Sequence, residues 1–352
     1  MLKYKSLGKS GIEVSPMAVG CWAFGGGSYW GDQSQADVNA VVARSLDTGV
    51  NFFDTAALYN AGESERSLAA SLGSKRKDAI ICSKFGPDSA YYDSVIAGCE
   101  ASLRRLNTDY LDIFMLHWPI NTPSIRHFAP NDEQKVLHPP VIEETMAALE
   151  KLKKDGKIRG IGVSNFGVQQ LTEAIATGVQ IDVNEMTYNI FSRAIETAIL
   201  PLCIDNNIAV VGSMALQQGL LTGKYASADD VPMNQAHSRH YANERGMGTS
   251  RHGCPGAEAE MFAALEELKL IAAECNTTMA KLAIAWTLHK PGIVSSLVGS
   301  RNVGQFQENY DGISLALDRS IVEKIDRISQ PVFDLLGSCP DYYENEKNSR
   351  IY

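Results

Sequence analysis

The chain has 352 residues, of which 45% are hydrophobic and 21% are charged, and its formal net charge at pH 7 is -9. This length suits one large α/β barrel or two ordinary domains. The excess of acidic residues, with no basic stripe to offset it, argues against a nucleic-acid or anionic-membrane partner, since such binding depends on clustered Lys and Arg.

The cysteines and the first residues indicate a reducing compartment. Seven cysteines occur without any Cys-x-x-Cys pair, mostly inside apolar segments, which is typical of small buried thiols. The opening segment MLKYKSLGKSG has no apolar stretch of the kind found in signal peptides, and no uncharged apolar run is long enough to cross a bilayer. We therefore expect a cytoplasmic enzyme or regulator.

Short apolar runs alternate with amphipathic segments along the chain. The segment YKSLGKSGIEVS predicts an N-terminal β-hairpin within residues 3–15, positioned to close the bottom of a barrel. The runs predicted as strands are MAVG (17–20), NFFDT (51–55), AIICSKF (79–85), LDIFMLH (111–117), RGIGVS (159–164), DVNEMT (182–187), IAVVGSM (208–214) and VSSLVG (294–299). Between several of them, apolar residues recur every three or four positions, as on a helix that packs against a sheet.

Eight strands alternating with helices predict a (β/α)8 TIM barrel. We expect one domain over residues 1–352, with the barrel at 17–330 and a C-terminal tail at 331–352. A doubly wound open sheet is the alternative, but the glycines at 25–27 lack the spacing of a dinucleotide-binding fingerprint.

Two long insertions, at 118–140 and 226–256, each follow the carboxyl end of a predicted strand. Long loops inside a compact domain are usually functional or disordered, so we expect both to overhang the same face of the barrel. The tail GSCPDYYENEKNSRIY could fold over that face or end exposed.

Ionisable residues stand at three consecutive predicted strand ends. Asp54, Lys84 and His117 end the second, third and fourth barrel strands, and Tyr59 follows Asp54 by five residues. Each alone has an ordinary structural explanation, as a helix cap, a solvated strand end, a core histidine or a loop anchor. Together they are harder to explain by packing, because an unpaired buried charge costs several kcal/mol and an Asp–Lys pair offsets that cost.

The four residues suggest proton transfer to a carbonyl oxygen. A tyrosine has a pKa of about 10, and we expect the nearby Lys84 ammonium to bring the pKa of Tyr59 toward neutrality. Asp54 would keep Lys84 protonated, and His117 would orient the reacting oxygen. No acyl-transfer nucleophile or metal cluster is evident, so the chemistry that fits is hydride addition to a carbonyl with Tyr59 as proton donor.

The motifs FDTAALYNAGESE, IICSKFG, LDIFMLHWP, GKIRGIGVSNF, QGLLTGKY and VGSRNVGQFQEN, in this order, resemble the aldo-keto reductase superfamily from about Tyr4 to about residue 330. The chain looks like the bacterial and fungal members and the potassium-channel β subunits. The resemblance implies a TIM barrel, Tyr59 as general acid/base, Lys84 and Asp54 as the pair that tunes its pKa, and His117 as the carbonyl-orienting residue.

The resemblance also implies a nicotinamide cofactor extended across the barrel mouth. The implied contacts are Gly20, Cys21, Trp22, Asp54, Ser164, Asn165, Glu185, Ser213, Met214, Leu216, Gln218, Gly219, Leu220, Lys224, Gly299, Ser300, Arg301, Gln305, Glu308 and Asn309. Ser300 and Arg301 suit a 2′-phosphate, which favours NADP(H) over NAD(H). Glu185, Ser213 and Gln305 depart from the residues common in the family, so NAD(H) stays open.

The substrate pocket is expected to be aromatic. Its predicted residues are Trp22, Phe24, Tyr59, His117, Trp118, Arg126 and His127, with Tyr29 and Trp30 as further candidates. Such walls fit a sugar-like or a small aromatic carbonyl, although loop packing explains several of these side chains equally well.

Three functions remain from the sequence. The first is an NAD(P)(H)-dependent reductase of aldehydes or ketones. The second is an NAD-dependent aldose or polyol dehydrogenase working in the oxidative direction, and the third is a non-enzymatic cofactor-sensing subunit. Small-molecule substrates are the expected partners, and a homo-oligomer is compatible with each.

Overall fold

The computed structural model describes residues 2–246 and 248–351, and its central feature is a closed parallel barrel. The strands are β1 (Lys5–Ser6), β2 (Glu13–Val14), β3 (Met17–Gly20), β4 (Phe52–Asp54), β5 (Ile80–Phe85), β6 (Leu111–Leu116), β7 (Ile158–Ser164), β8 (Val183–Thr187), β9 (Ala209–Ser213) and β10 (Ile293–Gly299). Strands β3 to β10 close in chain order, with β10 beside β3, and β1 pairs antiparallel with β2. The predicted (β/α)8 barrel with its N-terminal hairpin is confirmed.

Helices surround the barrel. They are α1 (Gln35–Asp47), α2 (Glu63–Leu72), α3 (Tyr92–Leu106), α4 (Thr122–Phe128), α5 (Glu133–Leu137), α6 (Ile142–Lys154), α7 (Val168–Ala176), α8 (Ile199–Asp205), α9 (Glu258–Glu274), α10 (Met279–His289), α11 (Val303–Gly312) and α12 (Arg319–Leu336). In α1 the side chain of Ser34 accepts a hydrogen bond from the backbone N–H of Asp37, and the stripe of Val38, Val41 and Val42 is buried. Within the described residues, no helix is both long and apolar enough to span a membrane.

Successive side chains of each strand alternate between two hydrophobic cores. Phe52 packs inside the barrel, whereas Phe53 packs outward against the helices. Because inward positions repeat every second residue, the inward position above Phe52 is Asp54, and the one above Cys82 is Lys84. The polar residues of the mouth are therefore the top layer of the barrel interior.

The hairpin closes the opposite end. Leu7, Ile12 and Val14 join the inner core, so the bottom of the barrel is filled with apolar side chains. This leaves the carboxyl ends of the strands as the open face, where TIM barrels carry their sites.

Two regions differ from the expected boundaries. The 118–140 insertion holds the short helices α4 and α5, and α12 runs to Leu336 although Pro331 lies inside it. The buried stripe of Val322, Ile325 and Val332 continues past the proline, which explains why the helix does not end at residue 330. The irregular tail begins at Gly337 and folds back on the protein, where the backbone carbonyl of Arg350 accepts a hydrogen bond from Asn121 Nδ2 at 2.8 Å.

We predict that Gly8→Ala destabilises the protein far more than Gly11→Ala. Both glycines have positive φ, but a Cβ at Gly8 would lie 2.5 Å from the Asp182 carbonyl oxygen, whereas Gly11 has no such neighbour within 4 Å. The Gly11 change should cost about 1 kcal/mol through backbone strain. The Gly8 change should cost roughly 1–3 kcal/mol more through overpacking. Urea unfolding of both variants measures the difference, and equal losses would contradict the close packing of the hairpin on the barrel.

Candidate active site

One buried lysine organises the barrel mouth. Lys84 is fully buried, donates to a carboxylate oxygen of Asp54 and to the Thr55 carbonyl at 3.2 Å, and lies 3.4 Å from the Tyr59 hydroxyl. Its Nζ also lies 3.3 Å from Glu185 Oε2. The structure thus brings together the Asp54, Lys84 and Tyr59 predicted from sequence and adds a second carboxylate, which the sequence analysis had placed on the cofactor.

The turn that follows Tyr59 fixes the position of its side chain. Asn60 and Ala61 have positive φ of 50° and 54°, which β-branched residues avoid. The Asn60 side-chain amide donates to the carbonyls of Trp22 at 3.0 Å and Phe24 at 2.9 Å, so the loop after β3 and the loop after β4 hold each other. The Tyr59 hydroxyl is thereby held next to Lys84 at the carboxyl end of the barrel.

The charges of this cluster determine the protonation of Lys84 and Glu185. Burial alone would lower the pKa of Lys84, but the attraction of Asp54, Glu185 and Tyr59 outweighs it and raises the pKa well above its ordinary value. Burial and the neighbouring Asp54 carboxylate raise the pKa of Glu185 to about 8, against the lowering effect of Lys84. At neutral pH the ammonium is charged and Glu185 carries a proton.

The expectation for Tyr59 itself is corrected by the structure. Burial raises the pKa of its phenol above the ordinary value, and the lowering by Lys84 does not compensate, because Asp54 and Glu185 oppose it. The group is a protonated phenol held near an ammonium, which is a proton donor rather than a standing phenolate.

His117 lies beside the phenol and is neutral. Its ring centroid is 5.6 Å from that of Tyr59, and burial together with Lys84 lowers its pKa well below the ordinary value. Within the described part of the chain its Nδ1 has no hydrogen-bond partner. A neutral imidazole with a free ring nitrogen can orient a substrate oxygen.

The predicted nicotinamide contacts form a connected set next to the lysine. Asn165, with a positive φ of 62°, donates from Nδ2 to the His117 carbonyl at 3.1 Å and to Ser164 Oγ at 3.0 Å. Ser164 Oγ donates to the backbone carbonyl of Glu185 at 3.2 Å. Ser213, at the end of β9, is partly exposed on the same face.

The segment predicted to hold the pyrophosphate has an unusual backbone. Met214, Gln217 and Gln218 have positive φ, and Gly219 follows with φ of 93°. Such conformations cost about 1–3 kcal/mol each and concentrate at ligand-binding loops. Lys224 is exposed, and its Nζ lies 4.7 Å from the centre of the Tyr225 ring.

The residues predicted for the adenosine end surround the start of α11. Ser300 is buried and its Oγ accepts from Asn309 Nδ2 at 3.0 Å, while the Gln305 side-chain oxygen accepts from the backbone N–H of Arg301 at 2.9 Å. Gly299 is exposed and Glu308 is half-buried on α11.

Arg301 has partners that the sequence did not reveal. Its guanidinium donates to Gln33 Oε1 at 3.0 Å, to the Trp30 carbonyl at 2.8 Å and to the Asp32 carbonyl. One N–H on each terminal nitrogen is left for another acceptor. Arg301 therefore ties the 30–33 segment to β10 and still has donors for an anion.

Aromatic rings line one side of the mouth. Trp22 stacks on Tyr29 at 4.8 Å and on Tyr59 at 5.9 Å, and it meets Trp30 edge-on at 5.3 Å between centroids. Trp22, Tyr29, Trp30 and Tyr59 thus form one continuous wall beside the reacting centre.

The tail lies over the same opening, which resolves the alternative that the sequence left. The Gln218 side-chain amide donates to the hydroxyls of Tyr29 at 2.9 Å and of Tyr343 at 3.2 Å. Arg350 lies 3.9 Å above the Trp118 ring. Sequence reasoning missed Tyr343 and Arg350 as residues of the mouth, and the only available signal was the aromatic and charged composition of the tail.

Two predicted pocket residues are placed elsewhere. Phe24 is 1% exposed and packs in the outer hydrophobic core. The Arg126 side chain is 59% exposed and faces Glu133 at 3.8 Å. His127 is exposed and packs edge-on against Phe128 at 5.1 Å, and the Phe128 ring in turn is 6.3 Å from that of His117.

The chain is similar to known proteins over most of its length. The family model described as "Aldo/keto reductase family" matches residues 16–330. The chain is 30% identical to the "NADH-specific methylglyoxal reductase" of Escherichia coli K12, over 90% of this chain and 95% of that protein. It is also 30% identical to a protein of Arabidopsis thaliana named as a probable voltage-gated potassium channel subunit beta, over 94% of this chain and 97% of that one. The solved glycerol dehydrogenase of Gluconobacter oxydans has 26% identity and a TM-score of 0.74, covering 92% of this chain and 94% of that chain.

We predict that Glu185→Gln becomes progressively more stable than the wild type as the pH rises from about 4.5 to about 8. A carboxyl whose folded pKa is raised binds more protons in the folded than in the unfolded state over this window, so the wild type loses unfolding free energy as the pH rises. The relative gain should be at most about 1.4 kcal/mol per pH unit. Urea unfolding at a series of pH values measures it, and a difference independent of pH would contradict the protonated state of Glu185.

Proposed function

The chain belongs to the aldo/keto reductase family, and on that premise we propose that it is an NAD(P)(H)-dependent oxidoreductase that reduces an aldehyde or ketone to the alcohol. The observation that carries this proposal is the Tyr59 hydroxyl, which lies 3.4 Å from Lys84 Nζ and beside a neutral His117 at the open end of the barrel. A sugar-like or small aromatic carbonyl fits the aromatic wall next to it.

Each residue has a distinct part in the proposed reaction. The nicotinamide cofactor supplies or accepts the hydride when bound. The neutral His117 imidazole beside the phenol orients the carbonyl oxygen, and Tyr59 gives its proton to that oxygen as negative charge develops there. Lys84 stabilises the resulting phenolate and so offsets part of the rise in the phenol pKa that burial causes. Asp54 keeps the ammonium in place and does not touch the substrate.

The residues present fit a nicotinamide dinucleotide laid across the mouth. Ser164 and Asn165 would hold the carboxamide, the 216–224 segment the pyrophosphate, and Ser300 with Arg301 the adenosine end. The positive-φ backbone at Gln217 and Gln218 is a strained conformation of the kind that concentrates at ligand-binding loops. We favour NADP(H), because Arg301 keeps free N–H donors for a 2′-phosphate, and NAD(H) is the alternative.

A second candidate is the oxidation of a polyol or aldose with NAD. The likeness to a glycerol dehydrogenase favours it, as does Ser213 in place of a ring that would stack on the nicotinamide. The same residues would act in reverse, with the phenolate accepting the alcohol proton. Absorbance of the reduced nicotinamide, followed with sugars, polyols, methylglyoxal and aromatic aldehydes and with both cofactors, separates the two directions. No turnover in either direction would leave the cofactor-sensing subunit as the function.

We predict that Tyr59→Phe lowers turnover by roughly 100-fold or more, because the proton donor is removed. Binding of the reduced cofactor, measured by fluorescence titration, should stay near normal. Tyr4→Phe is the control, since the Tyr4 hydroxyl is bonded to the Gly49 carbonyl at 2.7 Å, away from the mouth. Wild-type turnover in the Tyr59 variant would refute the assigned donor.

We predict that Arg301→Gln weakens NADPH binding by about tenfold or more relative to NADH binding, because a charge-assisted bond to the 2′-phosphate is lost. Any loosening of the 30–33 segment affects both cofactors alike, so the ratio isolates the phosphate contact. Arg44→Gln, which removes an exposed guanidinium bonded to Gln307 at 2.7 Å, is the matched control. Equal losses of affinity for the two cofactors would mean that Arg301 only holds the 30–33 segment and does not contact the 2′-phosphate.

A further inference from the structure

The Lys84 cluster holds one carboxylate more than charge balance requires. Asp54 alone neutralises the Lys84 ammonium, yet Glu185 Oε2 lies 3.3 Å from the same nitrogen. Two ionised carboxylates on one buried cation would leave a net negative charge out of contact with water, which is strongly unfavourable. The stable arrangement at neutral pH therefore contains one extra proton.

The geometry assigns that proton a route. Lys84 Nζ touches both Glu185 and the Tyr59 hydroxyl, at 3.3 and 3.4 Å, so the ammonium bridges the two. Of the three ionisable side chains, those of Lys84 and Asp54 are 0% and 2% exposed, whereas that of Glu185 is 8% exposed. Glu185 is thus the least buried of the three and the one from which a proton has the shortest way to water.

We propose that Glu185 is a positioning residue that stores a proton and reloads Tyr59 through Lys84 after each carbonyl reduction; this rests on the proposed function. When Tyr59 has given its proton to the substrate oxygen, the Lys84 ammonium gives one to the phenolate. Glu185 then gives its carboxyl proton to the Lys84 amine, and the Glu185 carboxylate recovers a proton from water at the mouth. One proton enters for each alcohol formed, and no electrons move in these steps.

The groups that face Glu185 do not change their own protonation between about pH 6 and about pH 10, so the Glu185 proton is the one that titrates in this range. Asp54 on β4 and Lys84 on β5 are the charged neighbours, and Tyr59 stands behind the lysine. Cys82, one layer below on β5, is kept neutral because burial and Asp54 raise its pKa. His117, beyond Lys84, is kept neutral by burial and by the ammonium.

The two directions of the reaction should respond oppositely to pH. Reduction needs the protonated carboxyl, so its kcat should fall by about tenfold per unit once the pH exceeds the range in which Glu185 holds its proton, near pH 8. Oxidation needs the carboxylate to take the proton away, so its kcat should rise through the same range.

The test compares the wild type with Glu185→Gln, measuring kcat for the fastest carbonyl of the substrate panel from about pH 6 to about pH 10. Glutamine keeps the shape but has no proton to give, so reduction should be slow at every pH and its alkaline fall should disappear. Glu196→Gln, which removes a carboxylate paired with Arg193 at 3.1 Å outside the cluster, should keep the wild-type profile. An unchanged alkaline limb in the Glu185 variant overturns the proposal.

A second measurement needs no turnover. Infrared difference spectra of the wild type between about pH 7 and about pH 9 should show the loss of a protonated carboxylic C=O band, which is missing in Glu185→Gln. Absence of that band in the wild type overturns the proton store even if the variant does not fold. Presence of the band in a protein that turns over no carbonyl in either direction would refute the proposed function and leave the titration of Glu185 intact.

Discussion

The buried ion cluster of Lys84, Asp54 and Glu185 is the interaction on which the site depends. An isolated ammonium could not be held in the barrel interior, because its desolvation would cost several kcal/mol. The Asp54 carboxylate on the neighbouring strand β4 pairs with it at full burial, and Glu185 on β8 contacts the same nitrogen. The Lys84 ammonium lies 3.4 Å from the Tyr59 hydroxyl and lowers a phenol pKa that burial raises.

The barrel topology brings such a cluster together although its residues are far apart in the sequence. In a closed parallel barrel the inward side chains of different strands meet in shared layers. Asp54, Lys84 and Glu185 each stand one inward position above an apolar residue of the inner core, so the same packing that fills the barrel sets the level of the charges. The hairpin at the opposite end keeps that core dry and leaves the mouth as the accessible face.

Polar contacts between distant segments complete the mouth. Gln218 joins the loop after β3 to the tail through Tyr29 and Tyr343, and Arg301 holds the 30–33 segment. These bonds bring together residues far apart in the chain, so a substrate or cofactor entering the mouth meets a surface built by three separate segments. The positive-φ residues Met214, Gln217 and Gln218 lie in the middle of it.

The amino-acid sequence by itself determined the barrel, its eight strands to within a residue, and the approach of Asp54, Lys84 and Tyr59, because strand periodicity and parallel topology place strand ends together. Sequence alone could not show that Phe24, one of the aromatic pocket candidates, packs in the outer core. Only the tertiary structure decided that burial outweighs Lys84 in setting the pKa of Tyr59, that Glu185 pairs with the lysine, and that the tail covers the mouth. The physical reason is that desolvation and ion pairing depend on the atoms around a group in space, and neither can be read from its neighbours along the chain.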